Sequence, residues 1–233
     1  MSGRRRALLV VLVLGAIAAS GLVVLHSPLV SMRSVVLVGA THERRTAVLR
    51  AANLLGHPPL IDVDAATAAA GIERLPWVND ATVTRAWPSA VRIVVTERRP
   101  IGAAMVGRSR YALVDRTGRV LGIVAAPPGG LVALVGLVDL PPPGRTLSEP
   151  GRALLSVAAA LPVALLSRVV SFATGTEGVV ATLAHGPLVV FGSPNAIGAK
   201  YVALATLLRE EPTAIASAKV LDLRVPEAPV LTP

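Results

Sequence analysis

No cysteine occurs in the 233 residues. A body outside the cytoplasm therefore has no disulfides and must hold together by burying apolar surface. Aromatic residues make up only 3% of the chain, with two each of Trp, Tyr and Phe. The core must come from Val, Leu, Ile and Ala, and no aromatic platform exists on which bases could stack. Lys200 and Lys219 are the two lysines, so the formal charge of +9 and pI near 11.4 rest on arginine. Those arginines are scattered, and no basic run after Arg4-Arg5-Arg6 exceeds two residues. This pattern excludes a nucleic-acid interface and suits anionic lipid head groups or wall polymers instead. Neither a G-x-x-x-x-G-K-[ST] loop nor a G-x-G-x-x-G turn is present. No nucleotide, other cofactor or small-molecule substrate is expected.

The longest uncharged run is Ala7 to Leu25, which contains one hydroxyl residue, Ser20. At about 1.5 Å per residue it spans roughly 28 Å, close to the hydrocarbon thickness of a bilayer. Arg4, Arg5 and Arg6 precede it and hold residues 1–6 on the cytoplasmic side, so the expected layout is a tail at 1–6 and a transmembrane helix at 7–26. Ala16-Ile17-Ala18 resembles a signal-peptidase site, but the apolar run continues through Gly21 to Leu25, longer than a cleavable h-region. The rest of the chain then lies outside the cytoplasm, with +6 remaining from the +9 once the three leading arginines are set aside.

After the apolar run the pattern predicts strand, helix, helix, strand, strand. Ser34–Val38 reads as a strand closed by Gly39. A helix follows with Thr41 as its N-cap, Glu43 in its first turn, Val48, Leu49, Ala52 and Leu55 at helical spacing, and Gly56 as its C-cap. Asp64 is placed to cap a second helix that buries Ala68, Ala69, Ile72 and Leu75 and ends before Pro76. Two alternating strands, Ala81–Arg85 and Val91–Thr96, flank a turn at Trp87-Pro88-Ser89. Together these make a small α+β layer with two helices over a three-stranded sheet.

The remainder reads as mostly β with two helices. Tyr111–Asp115 and Val120–Ile123 form a hairpin, and Leu131–Val135 is a short strand. A helical stretch over Gly151–Arg168 is divided by Pro162. Strands at Val169–Ala173, Val179–Leu183 and Leu188–Phe191, a helix at Ile197–Arg209, and a last strand at Lys219–Val225 complete it. Pro226 stops that strand, leaving an expected open sheet edge to which another chain's strand could add.

Chemistry-bearing candidates fail on spacing. His42-Glu43-Arg44-Arg45-Thr46 opens like a zinc-protease helix, but Thr46 stands where the second histidine is required, and a helix first turn accounts for it. Asp62 and Asp64 are explained by capping rather than acid pairing. Gly192-Ser193-Pro194 and Gly107-Arg108-Ser109 are not nucleophile elbows, and none of His26, His42, His57 and His185 pairs with a nucleophile. No catalytic, metal-binding or cofactor-binding residue is assigned, and the chain is read as a non-enzyme. Trp77 and Trp87, each beside a proline, suit core or lid roles. Glu97-Arg98-Arg99 is a solvated strand end or a partner contact.

One ordered set of segments carries a resemblance. Val38-Gly39, Leu75-Pro76-Trp77-Val78, Val83-Thr84-Arg85-Ala86-Trp87-Pro88 and Val91-Arg92-Ile93-Val94-Val95-Thr96-Glu97-Arg98-Arg99-Pro100 resemble a POTRA domain of the FtsQ/DivIB cell-division family. Gly102 departs from the Ala expected shortly after the proline. Leu113-Val114-Asp115, Gly192, Lys200 and Leu221-Asp222-Leu223-Arg224-Val225 resemble that family's β-domain. The resemblance implies a POTRA domain at 32–103, an FtsQ-type β-domain at 104–226 and a C-terminal tail at 227–233. It further implies a single-pass plasma-membrane scaffold at the division septum that recruits FtsB-like and FtsL-like (DivIC-like) partners. Carried over by position, the partner segment is Val220, Leu221, Asp222, Leu223, Arg224 and Val225, with Arg224 as the charged contact and Val225 as the apolar one. A POTRA component of protein secretion or outer-membrane assembly is the alternative, although only one such unit and no barrel-forming strands are present.

Overall fold

The computed structural model of the chain describes residues 9–17, 19–20, 31–137 and 139–233. Residues 9–17, 19 and 20 are helical. Among the described residues no helix is long and apolar enough to cross a membrane. The expected tail at 1–6, and residues 7, 8, 18 and 21–26 of the expected span, lie outside the described residues. The chain divides into two compact units, Met1–Glu97 and Arg98–Pro233.

The first unit places β1 (Ser34–Val38), α1 (Arg45–Ala51), α2 (Ala65–Glu73), β2 (Val78–Ala86) and β3 (Ala90–Glu97) in that order. The sheet order is β1-β3-β2, with β1 parallel and β2 antiparallel to β3. Alternation sets the faces. Val91, Ile93 and Val95 are buried with Val48, Leu60 and Ile72 from the helical side, while Arg92, Val94 and Thr96 point outward. Gly39 is required where it stands: its φ is +86° and a Cβ there would lie 2.0 Å from the Val95 carbonyl oxygen.

Asp64 caps α2 as expected, accepting from the amides of Ala66 at 3.0 Å and Thr67 at 3.4 Å. The ends of α1 differ from expectation. Arg44 occupies its N-cap position without a side-chain cap, and neither Thr41 nor Glu43 lies in the helix. Gly56 does not close it either, because the chain turns at Asn53, whose φ is +57°. The Asn53 amide donates to Arg50 O at 3.1 Å and the Leu54 amide to Leu49 O at 2.8 Å. That is a Schellman closure with Asn in the left-handed position and the buried Leu54 behind it.

The second unit contains β4 (Pro100–Val106), β5 (Arg110–Asp115), β6 (Val120–Val124), β7 (Val132–Val135), α3 (Gly151–Ala159), β8 (Val169–Gly175), β9 (Gly178–Leu183), β10 (Leu188–Gly192), α4 (Ile197–Glu210), α5 (Pro212–Ser217), β11 (Val220–Asp222) and β12 (Val230–Thr232). They build a nine-stranded mixed sheet ordered β12-β11-β10-β9-β8-β7-β4-β5-β6. One register row, Ala104, Leu134, Phe172, Ala181, Val189, Leu221 and Leu231, crosses seven strands. It packs into the core together with Leu154 and Val157 of α3 and Tyr201 and Leu204 of α4. The Tyr201 hydroxyl donates to Val157 O at 2.7 Å, tying the two helices together.

Two strands appear that the sequence pattern does not announce. β4 opens on a proline and continues through Gly102, Ala103 and Ala104, all three buried. A strand buried on both faces shows no alternation. β12 lies within the expected C-terminal tail. Pro226 lies beyond the end of β11 at Asp222 and begins a turn, closed by the Ala228 amide donating to Val225 O at 3.1 Å. Proline presets the first central position of such a turn, and the chain returns antiparallel to β11.

Candidate docking edge at the end of the large sheet

The expected partner segment begins as a strand, but not as an open edge. β11 is parallel to β10 on one side and antiparallel to β12 on the other. The edge expected at residues 219–225 is thus covered by residues 230–232 of the same chain. Strand geometry also ends at Asp222, three residues early, because the Asp222 carboxylate captures the Arg224 amide two residues on, at 2.9 Å. Such an Asx turn offers the backbone an alternative to the ladder.

Alternation sorts the six residues. Leu221 and Leu223 are fully buried and serve the core, while Val220 is half-buried and Val225 is exposed. Arg224 is held by its neighbours: Nε and Nη2 donate to Asp222 and Nη1 to Glu177 in the β8–β9 turn. Hydrogen bonds from Arg224 hold the Asp222 carboxyl below its ordinary value, and the same contact raises the Arg224 guanidinium. Beneath this cluster Gly192, at φ +68°, leaves room for the Arg224 stem, which a Cβ would meet at 2.9 Å. Lys200 is buried alongside and donates Nζ to Phe191 O at 2.8 Å and Ser193 O at 2.9 Å, fixing the end of β10.

The outermost strand is β12. The Lys219 amide donates to Thr232 O at 2.8 Å, so the backbone groups of Thr232 and Val230 face β11. By alternation those of Leu231 face away from the sheet. An edge strand whose outward N–H and C=O have no ladder can receive a further strand. The register row beside it carries little charge. Val135, Ala173, Val180, Val190, Asp222 and Val230 form one row opposite the helices, and Asp222 is its single ionisable member.

Other singled-out residues have local structural work. His42 precedes α1 rather than opening it, stacks on Trp77 with centroids 3.9 Å apart, and bonds Glu97 through Nδ1 at 2.7 Å. Thr41 Oγ1 and the amides of Thr41 and His42 reach the same Glu97 carboxylate. Trp87 is exposed in the β2–β3 turn. Asp62 lies in a short 3-10 turn, Leu60–Asp62. Arg98 pairs with the buried Asp115 at 2.9 Å, so Glu97 and Arg98 both have intramolecular roles that their exposed-looking sequence does not signal.

Comparison with known proteins places this architecture. Residues 30–98 match the model of the FtsQ-type POTRA domain. The chain is 32% identical over 131 residues to a protein of Corynebacterium glutamicum named cell division protein FtsQ, covering 56% of this chain and 58% of that one. Proteins of the same name from Mycobacterium bovis and Streptomyces bingchenggensis are each 29% identical. They cover 97% and 98% of this chain, and 68% and 87% of their own length. The chain thus spans somewhat over half of the corynebacterial relative, while the two longer alignments run through both units. With its strand-helix-helix-strand-strand first unit and its sheet-rich second unit, the chain belongs to the FtsQ/DivIB family.

Proposed function

We propose that the chain is a non-catalytic scaffold of cell division, and that it docks FtsB-like and FtsL-like bitopic partners at the β11–β12 end of its large sheet. On this reading residues 7–26 anchor it in the plasma membrane at the septum, with residues 1–6 cytoplasmic and the two units outside. The relatives' name, cell division protein, supports the process. The observation that carries the docking site is β12: three residues long, outermost in a nine-stranded sheet, beside a register row whose one ionisable member, Asp222, is paired with Arg224. Strand addition there would gain main-chain hydrogen bonds, with Val225, Val230 and the Asp222–Arg224 pair supplying selectivity.

The test is co-purification of the full chain, in detergent, with FtsB-like, FtsL-like and unrelated bitopic proteins from one organism. Selective capture of the FtsB-like chain, lost when the protein is truncated after Pro229, is expected. Capture that survives the truncation would move the site off this edge. Failure to retain any division partner would sink the scaffold reading.

A further inference from the structure

Six aromatic side chains occur in the chain, and five of them are withdrawn from solvent wholly or in part. Phe172, Phe191 and Tyr201 are buried, while Trp77 and Tyr111 are half-buried. Trp87 differs, being 53% exposed in the β2–β3 turn. A lone apolar residue on a surface needs no explanation. The place of this one does.

The register of the small sheet pairs Ser34, at the start of β1, with Ala90, and Ala90 with Ala86. The Trp87 turn therefore lies at the end of the sheet where the chain enters the unit. Two segments grip that entry. Ser89 O accepts the amides of Arg33 at 2.8 Å and Ser34 at 3.3 Å. Pro58 O accepts the Met32 amide at 3.0 Å, and Pro59 bridges to Ser31. Each segment exposes one large apolar side chain, Trp87 in the first and Leu55, 46% exposed, in the second. Neither 53–59 nor 86–90 contains an acidic residue, so no carboxylate there opposes contact with an anionic leaflet.

Chain length limits where this end can be. The apolar run ends at Leu25, and Ser31 is already fixed to the unit. Six residue steps extend at most about 20 Å. On the anchored reading of residues 7–26, the Trp87 turn is thus tethered close to the hydrocarbon boundary. An indole favours the head-group level, where its apolar body leaves water and its N–H keeps a polar partner. An exposed leucine at the same end suits the acyl boundary.

We propose that Trp87 and Leu55 form a bilayer contact, with the Trp87 indole seated among the lipid head groups. The contact docks the entry end of the first unit on the membrane that anchors the chain. It rests on the anchored reading of residues 7–26 given above.

The test uses the full chain in lipid nanodiscs, one chain to a disc, with a nitroxide quencher either near the lipid head group or at the bilayer centre. Tryptophan emission is the readout. Stronger quenching by the shallow label than by the deep one is expected, and it should be lost in Trp87→Phe, where Trp77 is the remaining indole. Leu55→Ser keeps both indoles and should weaken the shallow quenching, with an unchanged circular dichroism spectrum showing the fold intact. Emission untouched by either label, in a chain that resists carbonate extraction, overturns the bilayer contact and leaves the anchor standing. A chain released by carbonate overturns both. Quenching that persists in Trp87→Phe would assign the contact to Trp77 and remove Trp87 from it. Blue-shifted emission without quenching, appearing only when two chains share a disc, would give the turn to a second copy of the chain and overturn the lipid contact.

Discussion

The imidazole of His42 lies nearly parallel to the indole of Trp77, 8° between planes, while its Nδ1 reaches the Glu97 carboxylate at the far end of β3. One exposed loop is thereby fastened to the sheet by a ring stack and a carboxylate with four donors. Burial alone would raise the Glu97 carboxyl. The hydrogen bonds from Thr41 and His42 outweigh it and hold the group at about 2, against an ordinary 4.5.

That depression makes the first unit acid-sensitive. The folded value lies below the unfolded one, so the stabilisation is complete above about pH 4.5 and is lost as pH falls towards 2. After allowance for solvent screening it is on the order of 2 kcal/mol at neutral pH. Glu97→Gln should lower the melting temperature at pH 7 and flatten its dependence between pH 5 and 3, followed by tryptophan fluorescence. An unchanged acid slope in the variant would assign the sensitivity to other carboxylates of the first unit, of which Asp64, lowered by its hydrogen bonds from Thr67 and Ala66, is the first to test.

Lys200 leads to a prediction of the same pH sign in an alkaline window. Its ammonium is buried against two backbone carbonyls, and desolvation lowers its pKa from the ordinary 10.5 despite the favourable charge of Asp222. The unfolded chain binds the proton more tightly, so stability rises with pH from the folded value up to 10.5. Lys200→Met keeps much of the volume but strips both carbonyls of a donor, and should cost about 1–3 kcal/mol. The alkaline rise should vanish with it, measured by urea unfolding at pH 7 and pH 10.

At the sheet corner, Arg224 and Val225 separate by experiment. Arg224 holds Asp222 and Glu177 together, so Arg224→Glu would crowd three carboxylates and report on the corner as much as on a partner. Val225 is 56% exposed. Val225→Asp should leave the fold within about 0.5 kcal/mol of the parent and still reduce partner capture at least tenfold. Undiminished capture would remove Val225 from the contact.

How much of this was legible in the sequence follows from the physics of each element. Alternation at Val91, Ile93 and Val95 and the Asp64 cap are local signals, and both were readable. β4 was hidden because Gly102, Ala103 and Ala104 are buried on both faces and leave no periodicity. Asn53 ended α1 before Gly56 could, since either residue tolerates a left-handed backbone and apolar spacing ran on past the turn. Pro226 is expected to stop the strand, but β11 ends at Asp222 and the proline begins a turn, unannounced because the return strand is only three residues long. Covering the Lys219–Val225 edge moved the candidate site from β11 to β12. The roles of Glu97 and Arg98 depend on partners 55 and 17 residues away, which no short-range pattern encodes.

The backbone of β12 supplies the most direct test of the docking edge. Val230 and Thr232 face their backbone groups to β11, which leaves the N–H of Leu231 outward while its side chain packs on the core row. Proline is tolerated on an edge strand where the missing N–H would have faced solvent. Leu231→Ala and Leu231→Pro remove comparable apolar packing, and their melting temperatures should be similar. Only the proline variant deletes the outward donor and places a ring where an incoming strand would lie. Capture of an FtsB-like chain should therefore fall modestly for Leu231→Ala and at least a further tenfold for Leu231→Pro, one hydrogen bond and a steric block together. Equal capture by the two variants would mean that the partner does not extend the sheet at β12, and the row of Val190, Asp222 and Val230 beside it would become the surface to map.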